Sequence, residues 1–188
     1  MHIKRFFDFI GSLFLLFLLS MPIIIIFIVV KITSSGSAIY WSERVGQNNV
    51  NFLMPKFRTM KLNTPTVASH KLKNKNQHLT RIGGFLRRTS LDELPQLFSI
   101  IKGDMSFVGP RPALFNQKDL ILLRTNSGVH KLLPGVTGLA QISGRDNISI
   151  QRKVDFDLQY MKKQSFWFDM KIVLKTISKV LLRDNISH

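Results

Sequence analysis

From Phe9 to Val30 the chain runs for 22 residues without a charged side chain, mostly Leu, Ile and Phe. Coiled as a helix, this run would be roughly 33 Å long, enough to cross the hydrocarbon core of a bilayer. The rest of the 188-residue chain offers too little apolar surface to wrap it in a soluble core. A cleaved signal peptide fits less well, because the run is too long and no small-x-small cleavage site follows. The segment is expected in a membrane, and the rest of the fold has to be built around it.

Two features argue against a plain crossing. Pro22 sits inside the run, removes one backbone hydrogen bond and kinks the helix. The flanks also carry the same sign. Lys4 and Arg5 precede the run, and the other Lys and Arg of the chain's 27 follow residue 30, against all but one of its 11 Asp and Glu. By the positive-inside tendency both ends belong in the cytoplasm. A helix that enters, turns at Pro22 and leaves by the same face satisfies both ends; a Pro-kinked spanning helix is the alternative.

The formal net charge of +16 calls for an anionic partner: nucleic acid, anionic lipid headgroups or phosphorylated substrates. The absence of cysteine excludes disulfides and thiolate chemistry. Five scattered histidines show no zinc-ligand spacing. Thr33-Ser34-Ser35-Gly36-Ser37 is a polar breaker that marks the end of the apolar segment. Ala38–Trp41 and Val50–Leu53 read as strands of a β-hairpin around Gly46–Asn49. Lys56 and Arg58 then lie on one side of an extended segment, a spacing that suits a phosphate and equally a solvated basic edge. Residues 61–78 read as a mobile polar loop. A helix is expected at about 113–124, and more helices over about 150–183. There Lys171, Lys175, Lys179 and Arg183 form a basic stripe opposite Trp167, Phe168, Leu174 and Ile177, as in a helix lying at a membrane interface or one on a core.

Two of the eleven acidic residues stand side by side in Ser90-Leu91-Asp92-Glu93-Leu94-Pro95-Gln96, just after Arg81, Arg87 and Arg88. The apolar spacing of Leu94, Leu97, Phe98 and Ile101 predicts a helix ending at Gly103. Pro95 is tolerated only in a first turn, so that helix should begin near Asp92 or Glu93. Ser90-x-x-Glu93 fits a capping box, which needs no catalysis. An ionised aspartate among arginines is also a candidate nucleophile or metal ligand. Downstream, Pro110 and Pro112 stiffen the backbone on either side of Arg111, which suits a planar grip on phosphate. The stretch Pro134–Arg145 carries three glycines, whose backbone amides can approach an anion.

These residues also carry a resemblance. Lys4-Arg5-x-x-Asp8, Glu43-Arg44-Val45-Gly46, Lys56-Phe57-Arg58-Thr59-Met60, Arg81-Ile82-Gly83 and Phe85–Leu97 resemble blocks of the bacterial sugar transferases. So do Gly103–Pro112, Gly135–Arg145, Asp157-x-x-Tyr160 and Ser165-x-Trp167-x-Asp169, in order and over nearly the whole chain. These are small monotopic phosphoglycosyl transferases that begin polyprenyl-linked glycan assembly.

The resemblance implies a mixed α+β, mainly helical fold. In it, residues 1–32 form a re-entrant membrane helix and residues 33–188 a catalytic domain with a small β-hairpin and interfacial amphipathic helices, facing the cytoplasm at the bacterial inner membrane. It implies Asp92 as nucleophile towards a UDP-sugar, a phosphosugar–aspartyl intermediate, release of UMP, and undecaprenyl phosphate as acceptor. Asp92 and Glu93 are the expected Mg²⁺ ligands. Arg87, Arg111, Lys56, Arg58, Gln141 and Arg145 are expected on the phosphates and nucleotide. The implied partners are the two substrates and membrane lipids, not nucleic acid, and a homodimer is left open. Met21 stands where the family often has serine before the proline. The rival reading is a membrane-tethered basic module that binds anionic lipid or nucleic acid without catalysis.

Overall fold

The computed structural model describes residues 2–65, 67, 75–144 and 148–182. Arg145, Arg183 and residues 66 and 68–74 of the 61–78 loop lie outside the described residues. The apolar run is two helices, α1 (His2–Leu18) and α2 (Ser20–Thr33), meeting at 64°. Pro22 is the cause. It has no N–H for the Leu18 carbonyl and its ring crowds that oxygen, so the break falls at Leu19, one turn before the proline itself. Ser20 Oγ donates to the Phe17 carbonyl at 2.8 Å across the bend, so a serine hydroxyl works at the kink although position 21 is Met. Among the described residues no single helix is long and apolar enough to cross a membrane, whereas the bent pair together passes that test by length and composition.

The pair is bolted to the rest of the chain through its polar N-terminus. Arg5 donates to the carbonyls of Ile100 and Ile101, the latter at 2.7 Å. Asp8, almost fully buried, accepts from the Phe107 amide at 3.1 Å, and Lys4 pairs with Asp169. Leu15 and Leu16 pack on Met54, Leu97, Ile100 and Met105, while Val30, Ile23 and Ile26 pack with Ala38, Phe57 and Leu86. The opposite faces stay uncovered, with Phe6, Phe14, Phe17, Ile25 and Ile32 all more than half exposed.

The expected hairpin is present, with longer strands: β1 (Ile39–Val45) pairs antiparallel with β2 (Asn51–Phe57), from Ile39 opposite Phe57 to Val45 opposite Asn51. Asn48 and Asn49 turn the chain in the left-handed region that asparagine tolerates. The helix expected from residue 113 begins later. Ala113–Leu114 (β4) instead pair with Val45 and Arg44 on the other edge of β1, and Gln117 Oε1 takes the Leu114 amide at 2.9 Å. The helix α5 is Lys118–Asn126.

The helix of the acid pair also starts later than Pro95 suggests. After α3 (Gly83–Thr89), Ser90 adopts left-handed φ/ψ of 57° and 16°, and Leu91–Glu93 form a single 3₁₀ turn. Pro95 is the N-cap of α4 (Gln96–Lys102), and the Ser90 side chain makes no capping bond. The capping-box reading is therefore wrong here: a left-handed Ser90 points its chain, not its hydroxyl, into the next turn. The buried face of α4 is Gln96, Leu97, Ser99 and Ile100, leaving Phe98 half exposed, so the core-facing stripe is rotated from the one its apolar spacing suggests.

Beyond α4, β3 (Ser106–Val108) and β5 (Gly135–Thr137) pair in parallel. A Cβ on Gly135 would lie 2.1 Å from the Gly109 amide nitrogen, and one on Gly138 2.1 Å from the Gly109 oxygen. These glycines are thus required where two backbones cross, which explains them without an anion. The chain closes with α6 (Leu139–Ser143), α7 (Ile150–Lys163) and α8 (Phe166–Leu181). α8 bears out the core reading on one face: Phe168, Ile172 and Val173 join Val108 and Tyr160, while Trp167, Leu174 and Ile177 project outward beside exposed Lys171 and Lys175.

Candidate active site

Alternation along β1 puts Tyr40, Ser42 and Arg44 on one face, and all three line a cavity of about 550 Å³. β2 and its end add Lys56 and Arg58. The 3₁₀ turn adds Asp92 and Glu93, and the last turn of α3 adds Arg87. The loop before β4 contributes Arg111, and α6 contributes Gln141. Of the residues expected at the substrate phosphates, nucleotide or metal, every one within the described residues thus borders the same space. Leu15 and Leu19, at the bend of α1 and α2, line it too.

Glu93 is the hub. Its Oε1 accepts from Lys56 Nζ at 2.8 Å and from Arg111 Nη2 at 2.9 Å. Burial alone would raise its pKa, but these two cations outweigh burial and hold it well below the usual carboxylate range. Asp92 is only 8% exposed and, among the described residues, accepts no hydrogen bond. Burial, reinforced by the neighbouring Glu93 charge, pushes its carboxyl up to about 6 against the pull of Lys56, Arg87 and Arg111. Two adjacent carboxylates are thereby driven apart: Glu93 is held towards its ionised form by its cations, and Asp92 is raised to titrate near 6. Burial also lowers Lys56, and burial with Arg111 beside it lowers Arg44 to about 10.

Arg58 is more committed than its spacing suggested: its Nε donates to the Ser37 carbonyl at 2.6 Å and its guanidinium lies 5.8 Å from the Tyr40 ring centroid. Gln141 Nε2 donates to the Val136 carbonyl at 3.2 Å, leaving its buried Oε1 without a partner among the described residues. Arg44 and Arg124 are cavity residues that no role was assigned to from the sequence. The period-2 pattern through Tyr40, Ser42 and Arg44 could have found the first; nothing local marks Arg124.

For a divalent cation, no cluster of three His, Asp or Glu side chains exists among the described residues. The donor set nonetheless suits Mg²⁺, which takes one or two carboxylates and fills its shell with water and substrate phosphates. Asp92 offers both oxygens, and Glu93 offers Oε2, which no described side chain engages.

A buried Asp92 beside Glu93, ringed by half-buried Lys56, Arg44 and Arg87 and exposed Arg111 and opening beside a bent apolar helix pair, defines an anion-handling site at the edge of an exposed apolar surface. Residues 1–183 match the family model of the bacterial sugar transferases, and the chain belongs to that family. It is 40% identical to a UDP-galactose-lipid carrier transferase of Erwinia amylovora, over 97% of this chain and 41% of that protein. It is 40% identical to the exopolysaccharide production protein ExoY of Rhizobium meliloti, over 95% of this chain and 85% of that protein. It is 37% identical to a UDP-glucose:undecaprenyl-phosphate glucose-1-phosphate transferase of Escherichia coli K12, over 94% of this chain and 40% of that protein. The chain spans about two-fifths of the first and third of these relatives.

Proposed function

We propose that the chain transfers a sugar 1-phosphate from a UDP-sugar to undecaprenyl phosphate, opening the assembly of a lipid-linked glycan. The observation that carries this is Asp92, a buried carboxylate bordering the cavity, accepting no hydrogen bond among the described residues and facing the field of Lys56, Arg87 and Arg111. An Asp92 oxygen attacks the β-phosphorus of the UDP-sugar. The bond from that phosphorus to the bridging oxygen breaks, UMP leaves with the bridging oxygen, and the phosphosugar stays on Asp92. A phosphate oxygen of undecaprenyl phosphate then attacks the same phosphorus, the Asp92–phosphorus bond breaks, and the carboxylate is regenerated.

A carboxylate approaching a diphosphate meets like charge. Arg87 and Arg111, with Lys56, offset that repulsion and hold the phosphates in line. Glu93 keeps Lys56 and Arg111 oriented before substrate arrives. Asp92 and Glu93 would hold Mg²⁺, which when bound neutralises charge on the diphosphate. On this reading α1 and α2 form the re-entrant element of residues 1–32, with their uncovered faces in lipid and residues 33–188 on the cytoplasmic side of the bacterial inner membrane. That height suits a lipid phosphate at the surface and a nucleotide from the cytosol. The names of the relatives favour UDP-glucose and UDP-galactose as first donors to try.

The test is UMP release in membrane fractions from a panel of UDP-sugars with undecaprenyl phosphate. The wild-type chain should turn over at least one donor, and Asp92→Asn should lower the rate by about 10³-fold or more. Unchanged turnover in Asp92→Asn would sink the reading.

A further inference from the structure

Asp157 and Tyr160 stand one turn apart on the buried face of α7, and the reaction above gives neither a role. Both grip the segment that presents Arg111. The Tyr160 hydroxyl lies 3.1 Å from the Val108 carbonyl oxygen and 2.8 Å from Asp169 Oδ1, both acceptors for its one proton. Asp157 Oδ2 accepts from Nε and Nη2 of Arg124 at 3.0 and 2.7 Å. The remaining nitrogen of that guanidinium, Nη1, donates to the Arg111 carbonyl at 2.8 Å. Two further carbonyls of the same stretch are held from other elements: Pro110 by the Gly135 amide at 2.9 Å and Pro112 by Arg44 Nη1 at 3.1 Å. Residues 108, 110, 111 and 112 are thus fixed from α7, β5, α5 and β1. From this frame the Arg111 side chain reaches out to Glu93.

An ordinary buried ion pair would explain only the Arg124–Asp157 contact. Such pairs gain little over apolar residues of the same volume, and this one directs a third donor at the main-chain carbonyl of Arg111 itself. We propose that Asp157, acting through Arg124, and Tyr160, acting directly, are positioning residues: they fix the backbone from which Arg111 meets the diphosphate of the donor. This rests on the reaction proposed above. A guanidinium on a pinned backbone loses less freedom when it grips two phosphate oxygens, so the benefit falls on the bound and transition states.

Arg124→Lys keeps the charge opposite Asp157 but cannot also reach the Arg111 carbonyl, and Tyr160→Phe removes one hydroxyl. Each should lower kcat/KM for the UDP-sugar about tenfold, with a cooperative thermal transition retained. Combined with Arg111→Ala, each should add almost no further loss. An equal fold-loss in the Arg111→Ala background would mean a general structural role and overturn the proposal. The Nε–H signal of Arg111 in the full chain with isotope-labelled arginine, assigned through its disappearance in Arg111→Lys, reads the same clamp without turnover. It should move towards the solvent-averaged position in Arg124→Lys, and an unmoved signal overturns the inference. Absence of turnover by the wild-type chain on every UDP-sugar would instead refute the reaction, leaving that spectroscopic comparison decisive for the clamp.

Discussion

At the scale of single residues, the pair Asp92–Glu93 divides two tasks between identical chemical groups. On the proposed reaction Asp92 must be ionised to attack, and burial places its pKa near 6. The value of kcat/KM for the donor should therefore rise with pH through a midpoint near 6 and fall about tenfold per unit below it. Initial rates between pH 5 and 8 test this; a flat profile would contradict it. The same shift makes a stability statement. A folded pKa above the ordinary aspartate value of 3.8 means the folded state holds a proton that the unfolded chain has released. As pH rises through that window, ionising Asp92 costs on the order of 1–3 kcal/mol of stability. Asp92→Asn should be at least as stable as wild type at pH 8, with the difference vanishing below pH 4. Glu93→Gln should do the reverse, costing on the order of 3 kcal/mol because it strips the counter-charge from buried Lys56. Thermal melts of the two variants give opposite signs. The acid pair itself was legible in the sequence because carboxylates are scarce in this chain and arginines crowd it. What was not legible is that Ser90 turns left-handed and that the pair sits in a 3₁₀ turn ahead of α4, because a serine in that conformation leaves no mark in a propensity pattern.

At the scale of elements, periodicity found the β1–β2 hairpin, α7 and α8, and it missed elements decided by long-range pairing. Ala113–Leu114 is a strand only because the edge of β1 is available to it, a fact 70 residues away in sequence. Pro22 was legible as a bend, though not where it acts, since the ring clashes with the carbonyl four residues earlier. Pro22→Ala tests what that bend does. Restoring the Leu18 hydrogen bond favours a straight helix by about 3 kcal/mol. A straight helix cannot keep Arg5 on the α4 carbonyls while Val30 stays packed against Ala38, Phe57 and Leu86. The variant should lose most UMP release, and an N-terminal tag should become accessible from the periplasmic side in part of the population. A variant with wild-type turnover and a wholly cytoplasmic tag would show that the bend is dispensable.

At the scale of the whole molecule, the apolar helices are structural partners of the site and, on the proposed function, also its route to lipid. Leu15 and Leu16 close one core cluster; Ile23, Ile26 and Val30 close another, directly under the strand and helix that carry Lys56 and Arg87. Arg5 and Asp8 satisfy the end of α4 and the amide of Phe107, which would otherwise be buried polar groups without partners. Composition announced a long apolar run and a basic body; it could not announce that the two share a core, because hydropathy records how apolar a segment is and not which of its faces another element covers. Losing one large buried side chain typically costs 2–5 kcal/mol, against about 5–15 kcal/mol for a whole domain. Removing buried Val30, the four partly buried side chains and two anchors together exceeds that margin. A chain beginning at residue 33 should therefore lack a cooperative thermal transition and release no UMP, with detergent present or absent. If it melts cooperatively near the full chain's Tm, the helices serve only to hold the protein at the membrane, and the site stands without them.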